Sequence, residues 1–244
     1  MIEPVAARLY VPDDLAFDTA IVTTVDQAHY LRNVLRLMPG AVVAVFNGRD
    51  GEFGARIDRL DKNGATLTVG ARRRAQPAEP DLWLLFAPIK RQRIDILVEK
   101  ATELGVAALR PVITRHTQVE RVNLARLSAH AIEAAEQTER LSVPRVHEPV
   151  ELDRALAAWP ADRRLVVCAE RRAAPPIAAA LAGLVPGAHA ILIGPEGGFA
   201  EAELDGLLKL PFVTLVSLGP RVLRADTAAV AALACWQAIL GDWR

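Results

Sequence analysis

From Asp81 onward, nearly continuous apolar runs alternate with stretches whose apolar residues recur every three or four positions. The runs Leu82–Ala87, Ala107–Ile113, Leu165–Ala169, Ala188–Ile193 and Phe212–Leu218 read as buried strands. Between the first two, Ile94, Leu97, Val98, Ala101 and Leu104 share one helical face, and Leu124, Leu127, Ala131 and Ala135 repeat that spacing. A third helix is expected after Phe199, with Glu201 and Glu203 in its first turn, and a fourth, almost wholly apolar, over Thr227–Leu240. Strands of this type joined by helices predict an α/β domain with a mainly parallel sheet. The first 75 or so residues have another rhythm. Short β-like runs at Arg8–Val11, Ala41–Phe46, Glu52–Leu60 and Ala65–Val69 are punctuated by Pro39-Gly40, Asn47-Gly48, Asp50-Gly51 and Asn63-Gly64. They predict a small barrel or compact β domain. One helix interrupts it, capped by Asp26, with Leu31, Val34, Leu35 and Met38 on one face. The polar stretch Ala71–Pro80 is the expected linker.

Composition narrows the function classes. Twenty-nine basic residues balance 29 acidic ones, so no whole-molecule field marks a polyanion partner, and any nucleic-acid surface must be local. Arginine outnumbers lysine 25 to 4, which suits bidentate contacts to phosphate or carboxylate. Cys168 and Cys235 sit inside apolar runs and read as buried thiols of a reducing compartment. No run reaches the roughly 18 apolar residues a membrane span needs, and Met1–Tyr10 does not read as a signal peptide. The expectation is a soluble, cytoplasmic protein.

Two loops stand out. Ile191-Leu-Ile-Gly-Pro-Glu-Gly-Gly-Phe199 runs from a strand through glycines into a helix. Strand C-terminal ends are where open α/β sheets bind ligands, and glycines there let a ligand approach the backbone. The spacing is neither a Walker loop nor the dinucleotide fingerprint, and a tight chain reversal would explain it equally. Leu218-Gly-Pro-Arg-Val-Leu-Arg-Ala-Asp-Thr227 also joins a strand to a helix and puts Arg221, Arg224 and Asp226 within six residues. An N-cap accounts for Asp226 or Thr227, but not for two arginines where the helix dipole disfavours them.

Lys90, Arg91 and Arg93 likewise begin a helix against its dipole, and with Arg72, Arg73 and Arg74 they form candidate phosphate contacts. His29, His116, His130, His147 and His189 show no metal-ligand spacing, and no serine elbow or Cys/His constellation offers a nucleophile. No metal is expected.

Taken together, these residues resemble one family. Leu192-Ile-Gly-Pro-Glu-Gly-Gly-Phe199 with Glu203, and Leu218-Gly-Pro-Arg-Val-Leu-Arg-Ala-Asp-Thr-Ala228, look like the two cofactor loops of the 16S ribosomal RNA uracil-N3 methyltransferases, members of the SPOUT class. Lys100–Val106, Glu133–Arg140 with Gln137, Arg8, His29–Arg36 and Pro39-Gly40 extend the likeness over the whole chain. The second loop departs from the family's usual Arg-Thr-Glu-Thr, reading Arg224-Ala-Asp-Thr227 with a carboxylate one methylene shorter.

The resemblance implies a PUA-like RNA-binding β-barrel over residues 1–75 and a trefoil-knotted SPOUT α/β methyltransferase domain over 76–244. It implies S-adenosylmethionine held by Ile193, Gly194, Pro195, Glu196, Gly197, Gly198, Leu218, Gly219, Leu223, Thr227 and Ala228. Arg221, Arg224 and Asp226 would be catalytic. RNA would be bound by Arg8, Arg32, Arg36, Arg72, Arg73, Arg74, Lys90, Arg91 and Arg93. A homodimer acting on 16S rRNA in the small subunit follows, with Thr227–Leu240 as a dimer element. Ribose 2′-O-methylation and a non-catalytic assembly factor are the alternatives.

Overall fold

Strand β3 (Val42–Phe46) shows why the N-terminal region folds as it does. Its run VVAVF is apolar on both faces, where a barrel strand with one wet face would alternate. In the computed structural model, which describes residues 5–119, 121–169 and 172–244, with Arg91 described by its backbone alone, both faces are covered. Val43 and Val45 enter a core with Leu9, Ile21, Leu31, Ile57, Leu67 and Val69, while Phe46 turns the other way onto Ala135 and Leu141. The backbone accordingly forms two compact units: the described residues up to Ala78 with Ala135–Val143, and Glu79–Ala134 with Pro144–Arg244.

The first unit is built from β1 (Arg8–Tyr10), β2 (Ala20–Val22), α1 (Val25–His29), β3, β4 (Glu52–Leu60) and β5 (Ala65–Arg74). They form one curled sheet in the order β1-β3-β4-β5-β2, antiparallel except for β1 on β3. Two expectations change here. The helix is capped by Thr24, not Asp26: Gln27 N–H donates to Thr24 Oγ1 at 3.2 Å, and Gln27 Oε1 accepts from Thr24 N–H at 3.1 Å. After His29 the helix widens into a π-helical stretch, Tyr30–Val34, in which Leu35 N–H reaches back to Tyr30 O. The wider turn breaks the expected face, leaving Val34 60% and Met38 71% exposed.

Nor is Ala71–Pro80 wholly a linker, because β5 runs on through Arg74, which pairs with Glu52. The cause is electrostatic. The Glu52 side chain, only 3% exposed, bonds Arg8, Arg74 (2.8 Å) and Arg73 (3.4 Å). Arg8, Arg73 and Arg74 are therefore structural partners of a buried carboxylate, not open phosphate contacts. Arg72 is exposed.

The second unit comprises β6 (Leu82–Phe86), α2 (Arg91–Glu103), β7 (Ala108–Ile113), α3 (Leu124–Gln137, whose end belongs to the first unit), β8 (Arg145–Val146), β9 (Val150–Glu151) and α4 (Leu152–Ala157). It continues with β10 (Arg164–Cys168), α5 (Ile177–Ala182), β11 (His189–Ile193), α6 (Glu201–Leu208), β12 (Val213–Val216) and α7 (Ala225–Ile239). The sheet is wholly parallel, ordered β12-β10-β11-β6-β7-β8, with β9 also on β7. Leu85, Leu165, Val167 and Leu192 pack with α4 and α6 through Leu152, Leu204 and Leu207. Helix α7 packs on α2, α5 and β11. Gly105 ends α2 at φ +78°, where an added Cβ would stand 2.6 Å from Gln237 Nε2. That amide donates to Leu104 O at 2.7 Å and ties α2 to α7. Among the described residues, no helix is long and apolar enough to cross a membrane.

Burial alone would push the Glu52 carboxyl up, but the Arg74 hydrogen bond and the charges of Arg8, Arg74 and Arg73 outweigh it and hold it below the usual carboxylate range. A lowered folded-state pKa stabilises above the unfolded value of about 4.3 and stops doing so as pH falls through the folded value. Glu52→Gln should therefore cost about 3 kcal/mol at pH 7, with the deficit shrinking in acid. Urea unfolding of both proteins across this pH range measures it.

Candidate active site

Strands β12, β10 and β11 lie side by side and parallel, with Cys168 in register with both Val216 and Ile193. Their C-terminal ends share one edge, so the two loops singled out by the sequence meet there. They enclose a cavity of about 220 Å³. Cys168, Ala169 and Ile193 lie at the strand ends, and Gly194, Pro195, Glu196, Gly198 and Phe199 form one wall. Ser217, Leu218, Gly219, Pro220, Val222 and Leu223 form the facing wall, and Ala225 and Ala228 of α7 also line it.

The loop from Gly194 to Gly198 serves both as a chain reversal and as a wall. Gly198 N–H donates to Pro195 O at 2.9 Å, with Gly198 at φ +70°. At Gly194 an added Cβ would stand 2.9 Å from the Phe199 ring, which folds back over the loop. Gly197 and Thr227 do not line the cavity. A Cβ on Gly197 would instead meet His116 at 3.3 Å, and Thr227 is exposed.

Arg221 and Arg224 line the cavity, exposed and without an ion pair among the described residues. Asp226 lies off it, its Oδ1 3.4 Å from Arg93 Nη1. Arg93 thus faces a carboxylate beside the cavity. Lys90 is exposed at the start of α2, and the Arg91 side chain lies outside the described residues. In the first unit Arg32 and Arg36 are exposed.

Sequence reasoning missed the loop behind the glycines. Glu203 accepts from Ala200 N–H at 2.8 Å and from Arg115 N–H at 2.9 Å, joining the start of α6 to the loop after β7. His116 Nδ1 lies 3.0 Å from Gly198 O. It also missed Cys168 and Ala169. Burial pushes the Cys168 thiol up to about 12, so it stays protonated and lines the cavity as an apolar group. Neither cysteine is in a disulfide.

Comparison with known proteins decides the family. The RNA methyltransferase domain family matches residues 76–237, and the RNA methyltransferase PUA domain family matches 22–70. A ribosomal RNA small subunit methyltransferase E from Rickettsia conorii is 33% identical, with 93% of each chain covered. The chain belongs to the ribosomal RNA small subunit methyltransferase E family. A member from Synechocystis is 31% identical over 96% of this chain and 78% of that one. The crystal structure of the Neisseria gonorrhoeae methyltransferase E bound to S-adenosyl methionine superposes with a TM-score of 0.87 at 28% identity, covering 98% and 99% of the two chains. A Legionella pneumophila methyltransferase, also solved with this cofactor, gives 0.83 at 29% identity over 95% and 97%. As in this family, a PUA-like domain precedes a SPOUT methyltransferase domain.

Glu203 supports a loop that the cavity wall rests on. Glu203→Ala should cost about 2 kcal/mol by removing two charge-assisted bonds, and should speed hydrogen exchange at the Arg115 and Ala200 amides. Unchanged exchange at both would show that Glu203 does not hold the loop.

Proposed function

We propose that this protein methylates N3 of a uridine in 16S ribosomal RNA, using S-adenosylmethionine bound between the two loops at the ends of β10, β11 and β12. The observation that carries the reading is the cavity itself, walled by glycine loops and rimmed by two arginines that have no ion pair among the described residues. The cradle suits the cofactor: at Gly219 an added Cβ would meet nothing within 4 Å, so the backbone lies open to a ligand, and Leu218 and Leu223 offer apolar contact. When bound, S-adenosylmethionine supplies an electrophilic methyl group on a sulfonium.

The remaining chemistry falls to the protein. Uracil N3 must lose its proton, leaving negative charge shared with the flanking carbonyl oxygens. Arg221 and Arg224, which line the cavity with no internal carboxylate competing for them among the described residues, would stabilise that charge. Asp226, held against Arg93 in the first turn of α7, orients an arginine or takes up the proton. Arg32, Arg36 and Arg72 on the first unit and Lys90 on the second are the RNA contacts this reading retains. The domain division at residues 75/76, a trefoil knot, a cytoplasmic location and a homodimer belong to the same proposal. The partly exposed Val230, Ala231, Ala234 and Cys235 on α7 support the last.

Mass-spectrometric mapping of 16S rRNA with and without the protein tests the activity: N3-methyluridine is expected, whereas 2′-O-methyl nucleotides or no modification would overturn it. Arg221→Ala, Arg224→Ala and Asp226→Asn should each slow single-turnover transfer by roughly 10²–10³-fold at saturating cofactor and RNA. Near-native rates in all three would make the loop a structural cap.

Cofactor binding has its own test. Gly198→Val would strain a left-handed backbone, so Ala228→Leu is the cleaner probe, filling the cavity from a helical position. Calorimetry should show S-adenosylmethionine affinity falling at least about 100-fold with the unfolding midpoint little changed.

A further inference from the structure

The outer edge of β7 is paired in two places, by β8 at Ala108 and Leu109 and by β9 at Val112 and Ile113. After His147, whose N–H still donates to Leu109 O at 2.9 Å, the chain at 148–149 leaves the sheet, and a second cavity of about 400 Å³ opens beside Arg110. Its charged lining is one-sided. Arg110 of β7, Arg145 of β8 and Arg154 of α4 face it with His147, against a single carboxylate, Glu148. None of the three arginines has an ion-pair partner among the described residues.

Arg110 is also held in place. Its guanidinium lies 4.3 Å from the centre of the Trp83 ring, and Arg163, itself tied to Asp81, lies 3.5 Å from the same ring. Burial, with Arg163 and Arg145 nearby, lowers the Arg110 pKa from its ordinary value. Burial beside Arg110 and Arg145 does the same for His147. Like charges gathered in excess of the one carboxylate repel one another, and a bound anion removes that penalty. Preorganised guanidinium forks match phosphate oxygens bidentately, and ordering Arg110 costs little because the ring already orders it.

We propose that this cavity seats a backbone phosphate of the RNA substrate, at a place separate from the methyl-transfer site. The inference rests on the rRNA reading above. It concerns residues that no sequence motif marked, since Arg110, Arg145 and Arg154 come from three different elements.

Arg145→Gln and Arg154→Gln test it, because both side chains are exposed and have no ion pair among the described residues. Binding of a 16S rRNA fragment should weaken about tenfold in the double variant. The salt dependence of log K should flatten by about 0.7–0.9 for each phosphate charge no longer neutralised. S-adenosylmethionine affinity should not change. Wild-type protein that binds the fragment, with the same affinity and salt slope in the variants, overturns the phosphate seat and leaves the functional reading intact. A wild-type protein that binds no rRNA brings down the reading and the phosphate seat together. Inorganic phosphate is the second probe, followed at the Arg110 Nε–H resonance. A shift there with undiminished RNA binding in the variants would identify a site for free phosphate and overturn the RNA assignment.

Discussion

Parallel alignment of β12, β10 and β11 is the constraint on which the candidate active site depends. Parallel strands cannot be joined by hairpins, so each connection must cross the sheet, and all C-terminal ends emerge on one side. The chain leaves β10, β11 and β12 at three widely separated positions in the sequence. The sheet returns those positions to one edge, where glycine-bearing loops face each other across a small cavity. Reversing β11 or β12 would remove a wall, and reversing β10 would remove Cys168 and Ala169 from the lining.

Arginine does three different jobs in this chain, and surroundings separate them. Arg8, Arg73 and Arg74 neutralise the buried Glu52, so their charges are consumed inside the first unit. Arg163 and Arg110 lie against Trp83, one of them fixed by Asp81 and the other without an acidic partner among the described residues. Arg221 and Arg224 have no ion pair among the described residues and stand at a cavity rim. A net charge of zero conceals these differences. What matters for an anionic substrate is which guanidiniums have no internal carboxylate, and that depends on packing.

The glycine loop shows how support and chemistry are divided. Its glycines let Phe199 fold back and let His116 approach from behind, while Glu203 holds the start of α6 to the loop after β7. A wall fixed from behind in this way stays shaped for a ligand without ordering cost on binding.

Much was legible from the sequence, for local reasons. Apolar runs and helical spacing located the five long strands and four main helices of the second unit, because buried strands and amphipathic helices must show these periods. The two loops could be recognised because their glycines and arginines are contiguous. The elements that were missed, β2, β8, β9, α4 and α5, span two to six residues and are too short for a period to declare itself. The burial of Glu52 escaped for another reason: it depends on Arg8, Arg73 and Arg74, which are distant in sequence. Tertiary structure alone decided that Ala135–Val143 packs on β3, that Arg93 faces Asp226, and that Arg110, Arg145 and Arg154 share a cavity. Local sequence determines which segments bury apolar surface, but the neighbours of a charged side chain follow from strand order, which no local pattern encodes.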